Sequence, residues 1–390
     1  MRIMHVITRF ILGGAQENTL YTCEGQHASP EHEVMLVTGP AIGPEGELLE
    51  RAKAAGIHTV VTPHLVRAIH PWHDPLALVH LSRLMRDFRP DVVHTHSSKA
   101  GILGRLAARL CRVPIVVHTI HGLPFHPYQN ALVNSSYILL ERWCARYADA
   151  IITVCDAMAA QALAARVGTP EKFHTVYSGL EVDTFLVDCD RAAVRKRYGL
   201  AARDLVIGKV ARLSDLKGHA FLLDAFEAVA KTEPRAKLLL VGDGWRRAEY
   251  ERRVAAAGLA ERVVFAGLIP PHEVPDAIHA MDVLVHTSLR EGLARVLPQA
   301  LLSGVPVVSY DVDGAREVVI PDETGVLLPP KEIRGLVDAI ARLLGDARLR
   351  KRLGRAGRER LAEPFDHHVM VRRINAVYAD VARKKDRRSR

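Results

Sequence analysis

Aromatic residues make up only 5% of this 390-residue chain, so its cores must be built from Val, Leu, Ile and Ala. No run of about 18 consecutive apolar residues occurs, and no membrane-spanning helix is predicted. The opening MRIMHVITRF is apolar only briefly before Arg9, and reads as a first buried strand rather than a signal peptide. Cys23, Cys111, Cys144, Cys155 and Cys189 are scattered and form no CxxC pair. Such an odd, unpatterned set argues against zinc or redox work and for a reducing, cytoplasmic setting. The basic residues are not interleaved with aromatics and no nucleic-acid motif is present, so nucleic acid is not an expected partner. Low-complexity tracts and convincing internal repeats are also missing.

What the chain does have is charge of one sign, +9 net at neutral pH. With nucleic acid set aside, an anionic membrane face or a phosphorylated substrate remains as the complement to that charge. The hydrophobic share of 48% is ordinary for a globular protein, and the length suits two or three domains.

Short Val/Ile-rich runs alternate with helical patterns. The first series of strands is Ile3–Ile7, Glu33–Thr38, Asp91–Thr95, Pro114–Thr119 and Ala150–Val154. The second is Leu205–Val210, Lys237–Val241, Val263–Phe265, Val283–His286 and Val305–Ser309. The runs are continuous rather than alternating, as in parallel strands buried on both faces. Helical stretches such as Pro75–Phe88, Leu132–Tyr147 and His219–Lys231 lie between them. The expected fold is therefore α/β, two Rossmann-like doubly wound domains facing across a cleft. The boundaries are set at 1–185 for the first domain and 186–364 for the second. Residues 365–390 form a helix, expected to cross back to the first domain, and a basic tail expected to be frayed and solvated.

Ligands bind open α/β sheets beyond the carboxyl ends of the strands, so the loops after strands are where chemistry is sought. Gly13-Gly14-Ala15-Gln16 follows the first strand and opens a helix, which suits either close approach to an anion or a plain tight loop. It is not GxGxxG, which disfavours a dinucleotide site. Arg212 and Lys217 lie on the loop after Leu205–Val210 and either flank a diphosphate or stand solvated. Glu291 precedes a helix whose first turn holds Pro298, and either binds sugar hydroxyls or caps the helix by charge. His121-Gly122 follows a strand and offers a ligand contact or a structural loop histidine. His94 and His96 have a spacing that permits metal binding, but no third ligand is evident, and no metal is assigned. Asp311-Val312-Asp313 is short enough that turn chemistry is preferred to a Mg²⁺ site.

The order GGAQ, HG, ARLSDLKGH, VGDG and SLREGLARVLPQALLSGVPVV resembles the family-4 retaining glycosyltransferases of the GT-B fold, over residues 1 to about 380. VYSGLEVDTF also resembles that family's interdomain NGVDxxxF, with Ser178 in place of Asn. The resemblance implies transfer of a sugar from a nucleotide-diphosphate sugar to a glycan or lipid-linked acceptor, with retention and without cofactor or metal. It implies that Arg212 and Lys217 hold the diphosphate and that Glu291 binds the sugar hydroxyls. Gly14 would approach the donor phosphate or acceptor, and His121 the donor sugar. Amides around Gly292, Leu293 and Ala294 would meet the β-phosphate. Gly242 and Gly244 would let the chain pass near the nucleotide, with the base around Leu268–Ile269. The family's second Glu is replaced by Gln299, which still bonds hydroxyls but carries no charge.

Alternatives on the same fold are an epimerase, a phosphorylase or a non-catalytic nucleotide-sugar binder. A membrane contact is expected from residues 99–112, where Arg105, Arg109 and Arg112 share one helical face and Leu103, Leu106 and Leu110 another. An ordinary solvated surface helix is the other reading of that segment.

Overall fold

The computed structural model describes residues 1–40 and 48–389. The chain divides into two compact units, residues 1–180 with 366–390, and residues 181–365. The boundaries therefore fall at Leu180/Glu181 and Phe365/Asp366 rather than at 185/186 and 364/365.

The first unit is built on a seven-stranded sheet. Its strands are β1 Arg2–Ile7, β2 Glu33–Thr38, β3 His58–Val61, β4 Val92–His96, β5 Ile115–Ile120, β6 Ala150–Thr153 and β7 Phe173–Thr175. They pair in parallel in the order β3-β2-β1-β4-β5-β6-β7. The second unit holds β8 Leu205–Val210, β9 Ala236–Val241, β10 Val263–Gly267, β11 Val283–His286, β12 Val307–Tyr310 and β13 Gly325–Leu328. These pair in parallel in the order β10-β9-β8-β11-β12-β13. Each order reverses direction once, at β1/β4 and at β8/β11. Chains leave such a pair in opposite directions and open a crevice above its carboxyl ends.

The helices that bear on function are α1 Gly14–His27, α2 His73–Phe88, α3 Ser98–Leu110, α4 Ala131–Ala145, α5 His219–Thr232, α6 Val296–Leu302 and α7 His367–Ser389. The apolar residues Met370, Val371, Ile374, Val377, Tyr378 and Val381 recur at helical spacing along α7 and are buried with Ile3, Val92, Ile115 and Val117 of the first sheet. The basic end of α7 is helical through Ser389, with residues 383–387 exposed, and Lys385 Nζ donates to Asp149 Oδ2 at 2.6 Å. Arg390, the last residue of that tail, lies outside the described residues.

The helix proposed for lipid contact is oriented otherwise. Arg105 is fully buried, its Nη2 2.9 Å from Glu141 Oε2 and its Nε donating to Gly101 O at 2.7 Å, whereas Leu110 is 60% exposed. A guanidinium with an internal carboxylate partner lowers its cost of burial, so helical phase alone misassigned this face. Arg105 therefore cannot meet a lipid surface. No described helix is long and apolar enough to cross a membrane.

Candidate active site

In the second unit the chemistry gathers above β8 and β11, the pair at the crevice. β8 ends at Val210 and the chain runs through Arg212 to Lys217 before α5; β11 ends at His286 and runs through Glu291 before α6. Lys217 and Glu291 meet there, with Nζ 2.5 Å from Oε1. His286 comes up from the strand itself, fully buried, with Nε2 3.3 Å from the same carboxylate oxygen. Burial pushes the Glu291 carboxyl upward, but Lys217 and His286 outweigh it and hold it far below the usual carboxylate range. Glu291 is therefore an anion at neutral pH. The backbone N–H of Glu291 donates to Asp313 Oδ2 at 2.6 Å, and the Arg316 guanidinium donates to Asp311 Oδ1 at 3.0 Å. Asp313 thus ties down the loop at Glu291, while Asp311 pairs locally with Arg316.

Beneath this pair lies a cation that the sequence reading did not single out. Lys209 points into the unit from β8, with 1% exposure, and its Nζ donates to Thr287 Oγ1 at 3.1 Å. Thr287 in turn donates to Gly218 O at 2.7 Å, tying the end of β11 to the loop that carries Lys217. Burial and then the nearby Lys217 depress the Lys209 ammonium to about 7, against a smaller pull from Glu291. The signal was present in the sequence: one lysine inside the apolar run LVIGKV.

The glycines expected near the nucleotide are required by the packing of one loop on another. Gly242 has φ +127°, and a Cβ on it would lie 2.3 Å from Ala211 O; one on Gly244 would lie 2.4 Å from Leu213 O. Both let the loop after β9 pack against residues 211–213, which lead from β8 to Lys217. Arg212 is exposed on that stretch. Gly292 is half-buried and Leu293 and Ala294 are buried on the approach to α6, on which Gln299 is half-buried. Ile269 is half-buried on the loop after β10, next to Leu268, which is exposed. Lys217 and Glu291 are thus brought into contact, while Arg212, Ile269 and Gln299 stand on neighbouring loops and on α6.

The first unit holds its own cavity of about 260 Å³ above the carboxyl end of β5, lined among others by Ser97, Ser98, Thr119, His121, Phe125 and Glu141. The lining also includes Ile120, Leu123, Pro124 and Val167, and the Glu141 carboxylate is already paired with Arg105. His121 is on this wall; Gly14 is the first residue of α1, beside Ala15, which also lines the cavity. A third imidazole joins the pair at 94 and 96, contrary to expectation. β1 pairs with β4 so that His5 is level with His94, and ring nitrogens of His5, His94 and His96 lie within 4.8 Å of one another. All six ring nitrogens already have hydrogen-bond partners, which describes a polar network better than a ligand set awaiting an ion.

Comparison with known proteins agrees with this geometry. Residues 190–360 match the family described as Glycosyl transferases group 1, and residues 13–179 match the Glycosyl transferase 4-like domain. The chain is 33% identical to the 2-deoxystreptamine glucosyltransferase of Streptomyces kanamyceticus over 326 residues, covering 79% of this chain and 82% of that protein. It is 26% identical to the UDP-Gal:alpha-D-GlcNAc-diphosphoundecaprenol alpha-1,3-galactosyltransferase of Escherichia coli, covering 99% and 98%. Among solved structures, Anabaena Alr3699/HepE in complex with UDP superposes with a TM-score of 0.84 at 22% identity, over 97% of this chain and 100% of that one.

Proposed function

We propose that this chain, which belongs to the family-4 glycosyltransferases of the GT-B fold and is an enzyme that transfers sugars, takes a hexosyl group from a nucleoside-diphosphate sugar and passes it, with retained configuration, to a hydroxyl of a glycan or lipid-linked acceptor. The observation that carries the reading is the meeting of Lys217 and Glu291, 74 residues apart, at the crevice of the second sheet. A carboxylate held ionised accepts hydrogen bonds from sugar hydroxyls. An ammonium beside it neutralises charge that grows on the departing phosphate.

In this reaction the bond from the anomeric carbon to the β-phosphate oxygen breaks while one to the acceptor oxygen forms on the same face. The acceptor proton passes to the departing phosphate oxygen. No side-chain nucleophile is needed. Arg212, Lys217 and the amides near Leu293 supply the positive end, so the route requires neither metal nor cofactor. Gln299 holds ribose hydroxyls as an uncharged amide. The UDP complex of HepE and the UDP-galactose donor in the name of the Escherichia coli relative make a uridine donor the first to try.

The acceptor enters at the first unit, and a bilayer brings it there. Trp72, Leu76 and Val79 on and before α2, and Leu132, Leu139 and Trp143 on α4, are all exposed, and both helices pack beside α3. Exposed tryptophans and leucines flanked by the exposed Arg109, Arg112 and Arg146 suit an anionic interface. This face replaces the one centred on Arg105. Sedimentation with vesicles containing anionic lipid tests it: loss of binding in Trp72→Ser/Trp143→Ser supports it, and equal sedimentation without anionic lipid contradicts it.

The transfer itself is tested by incubating the full chain with UDP-sugars and candidate acceptors. Release of UDP that depends on acceptor, persists in EDTA and gives the donor's anomeric configuration by NMR supports the reading. An inverted product or a strict metal requirement overturns the mechanism.

A further inference from the structure

Behind the cavity of the first unit runs a chain of buried amide and imidazole groups that the transfer chemistry leaves unused. It starts at Gln26 on α1, whose Nε2 donates to Asn375 Oδ1 at 2.8 Å and whose Oε1 is 2.8 Å from His5 Nε2. His5 Nδ1 is 3.0 Å from His96 Nε2, and His96 Nδ1 is 3.1 Å from His121 Nε2 on the cavity wall. Gln26, His5 and His96 are wholly buried.

Burial keeps these rings neutral. It lowers His5 to about 4, against a smaller pull upward from Gln26, and it holds His96, crowded by His94, His5, His121 and His118, well below the ordinary value. A neutral imidazole has one donor and one acceptor nitrogen, so a chain of them has a single sense. The carbonyl of Gln26 accepts, so His5 donates through Nε2 and accepts at Nδ1. His96 must then donate through Nε2 and accept at Nδ1. His121 then donates through Nε2.

A second branch leaves the same amide. Gln26 also donates to Tyr378, whose hydroxyl is 2.6 Å from His94 Nδ1, and His94 Nε2 is 2.7 Å from Thr119 Oγ1. Followed in the same sense, Tyr378 donates to His94 and His94 to Thr119. One buried amide therefore orders both Thr119 and His121, neighbours at the carboxyl end of β5.

We propose that Gln26, His5 and His96 are positioning residues that hold the His121 ring on the cavity wall in the Nε2–H form, donating inward to His96. That the ring serves sugar transfer rests on the proposed function; the tautomer assignment does not. Because Asn375 lies on α7, the C-terminal helix also sets the polarity of a site in the first unit.

Long-range ¹H–¹⁵N correlation spectra of the ¹⁵N-histidine-labelled full chain at pH 7.5 test the tautomers without any substitution. The expected result is the Nε2–H form at His5, His96 and His121. An Nδ1–H form, or a tautomer mixture, at His121 overturns the proposal. In Gln26→Leu, checked for folding by circular dichroism, His121 is expected to become mixed and kcat/KM for transfer to fall about tenfold, with UDP affinity unchanged within about twofold. An unchanged His121 spectrum in that variant removes Gln26 from the relay. If the unsubstituted chain shows the expected tautomers but transfers no sugar, the functional reading fails and the relay stands.

Discussion

Replacing Lys217 with methionine tests the site through two readouts that should move for different reasons. Its ammonium sits 2.5 Å from Glu291, with the two side chains 30% and 17% exposed. Removing one partner of a fully buried pair costs about 3–5 kcal/mol because the other charge is stranded. Partial exposure here, and His286 remaining beside the carboxylate, reduce that to about 2 kcal/mol. For a unit spanning residues 181–365 this is a fall in Tm of roughly 4–8 °C. The kinetic loss is larger. An electrostatic donor aimed at charge formed in the transition state is worth about 10²–10³ in kcat. The double variant Lys217→Met/Glu291→Gln separates the two effects. With no stranded charge, about half or more of the lost stability should return, while transfer remains at or below the level of the single variant. Differential scanning fluorimetry and acceptor-dependent UDP release supply the numbers. A Lys217→Met enzyme within threefold of normal kcat, or a double variant that recovers activity along with stability, refutes the reasoning.

Lys209 gives a pH prediction with a definite sign. Its ammonium falls from 10.5 to about 7 on folding, so between those values the unfolded chain holds more protons and stability rises with pH. The penalty is fully present below pH 7, on the order of 5 kcal/mol, and is gone above 10.5. Lys209→Met should therefore be more stable than the parent at pH 7, with the difference shrinking toward pH 10.5 in parallel urea titrations. A constant difference across that range contradicts the buried ammonium. In the first unit, Glu141→Ala strands the Arg105 guanidinium, which is fully buried, and should cost about 3–5 kcal/mol by chemical denaturation. Arg105→Met/Glu141→Leu should recover most of it, and a loss under 1 kcal/mol in the single variant would show that the pair is not buried in solution.

The central strands were legible because apolar runs such as LVIGKV and VLVH need no partner sequence to announce burial on both faces. The strands missed were β3, β7 and β13, edge or last strands of each sheet, short and for the most part only half-buried. With one side open, they carry little of the hydrophobic signal that marks a central strand. At the site, Lys217 and Glu291 were legible from motif order, since both stand on loops after strands. Lys209 was visible as a lone lysine in an apolar run, but its role, like those of His286 and Asp313, depends on register between strands distant in sequence. The same limit applies to His5, which becomes the third imidazole only when β1 pairs with β4. Arg105 shows the opposite error: helical phase placed it outside, and a carboxylate from another helix drew it in.

Titration calorimetry of nucleoside diphosphates tests the core of the account most directly. UDP, GDP and ADP are titrated into the parent chain, and the tightest is then taken to Arg212→Met and Lys217→Met. Binding should survive EDTA and weaken at least tenfold in each variant. Equal affinity in all three proteins would mean that the diphosphate is held elsewhere.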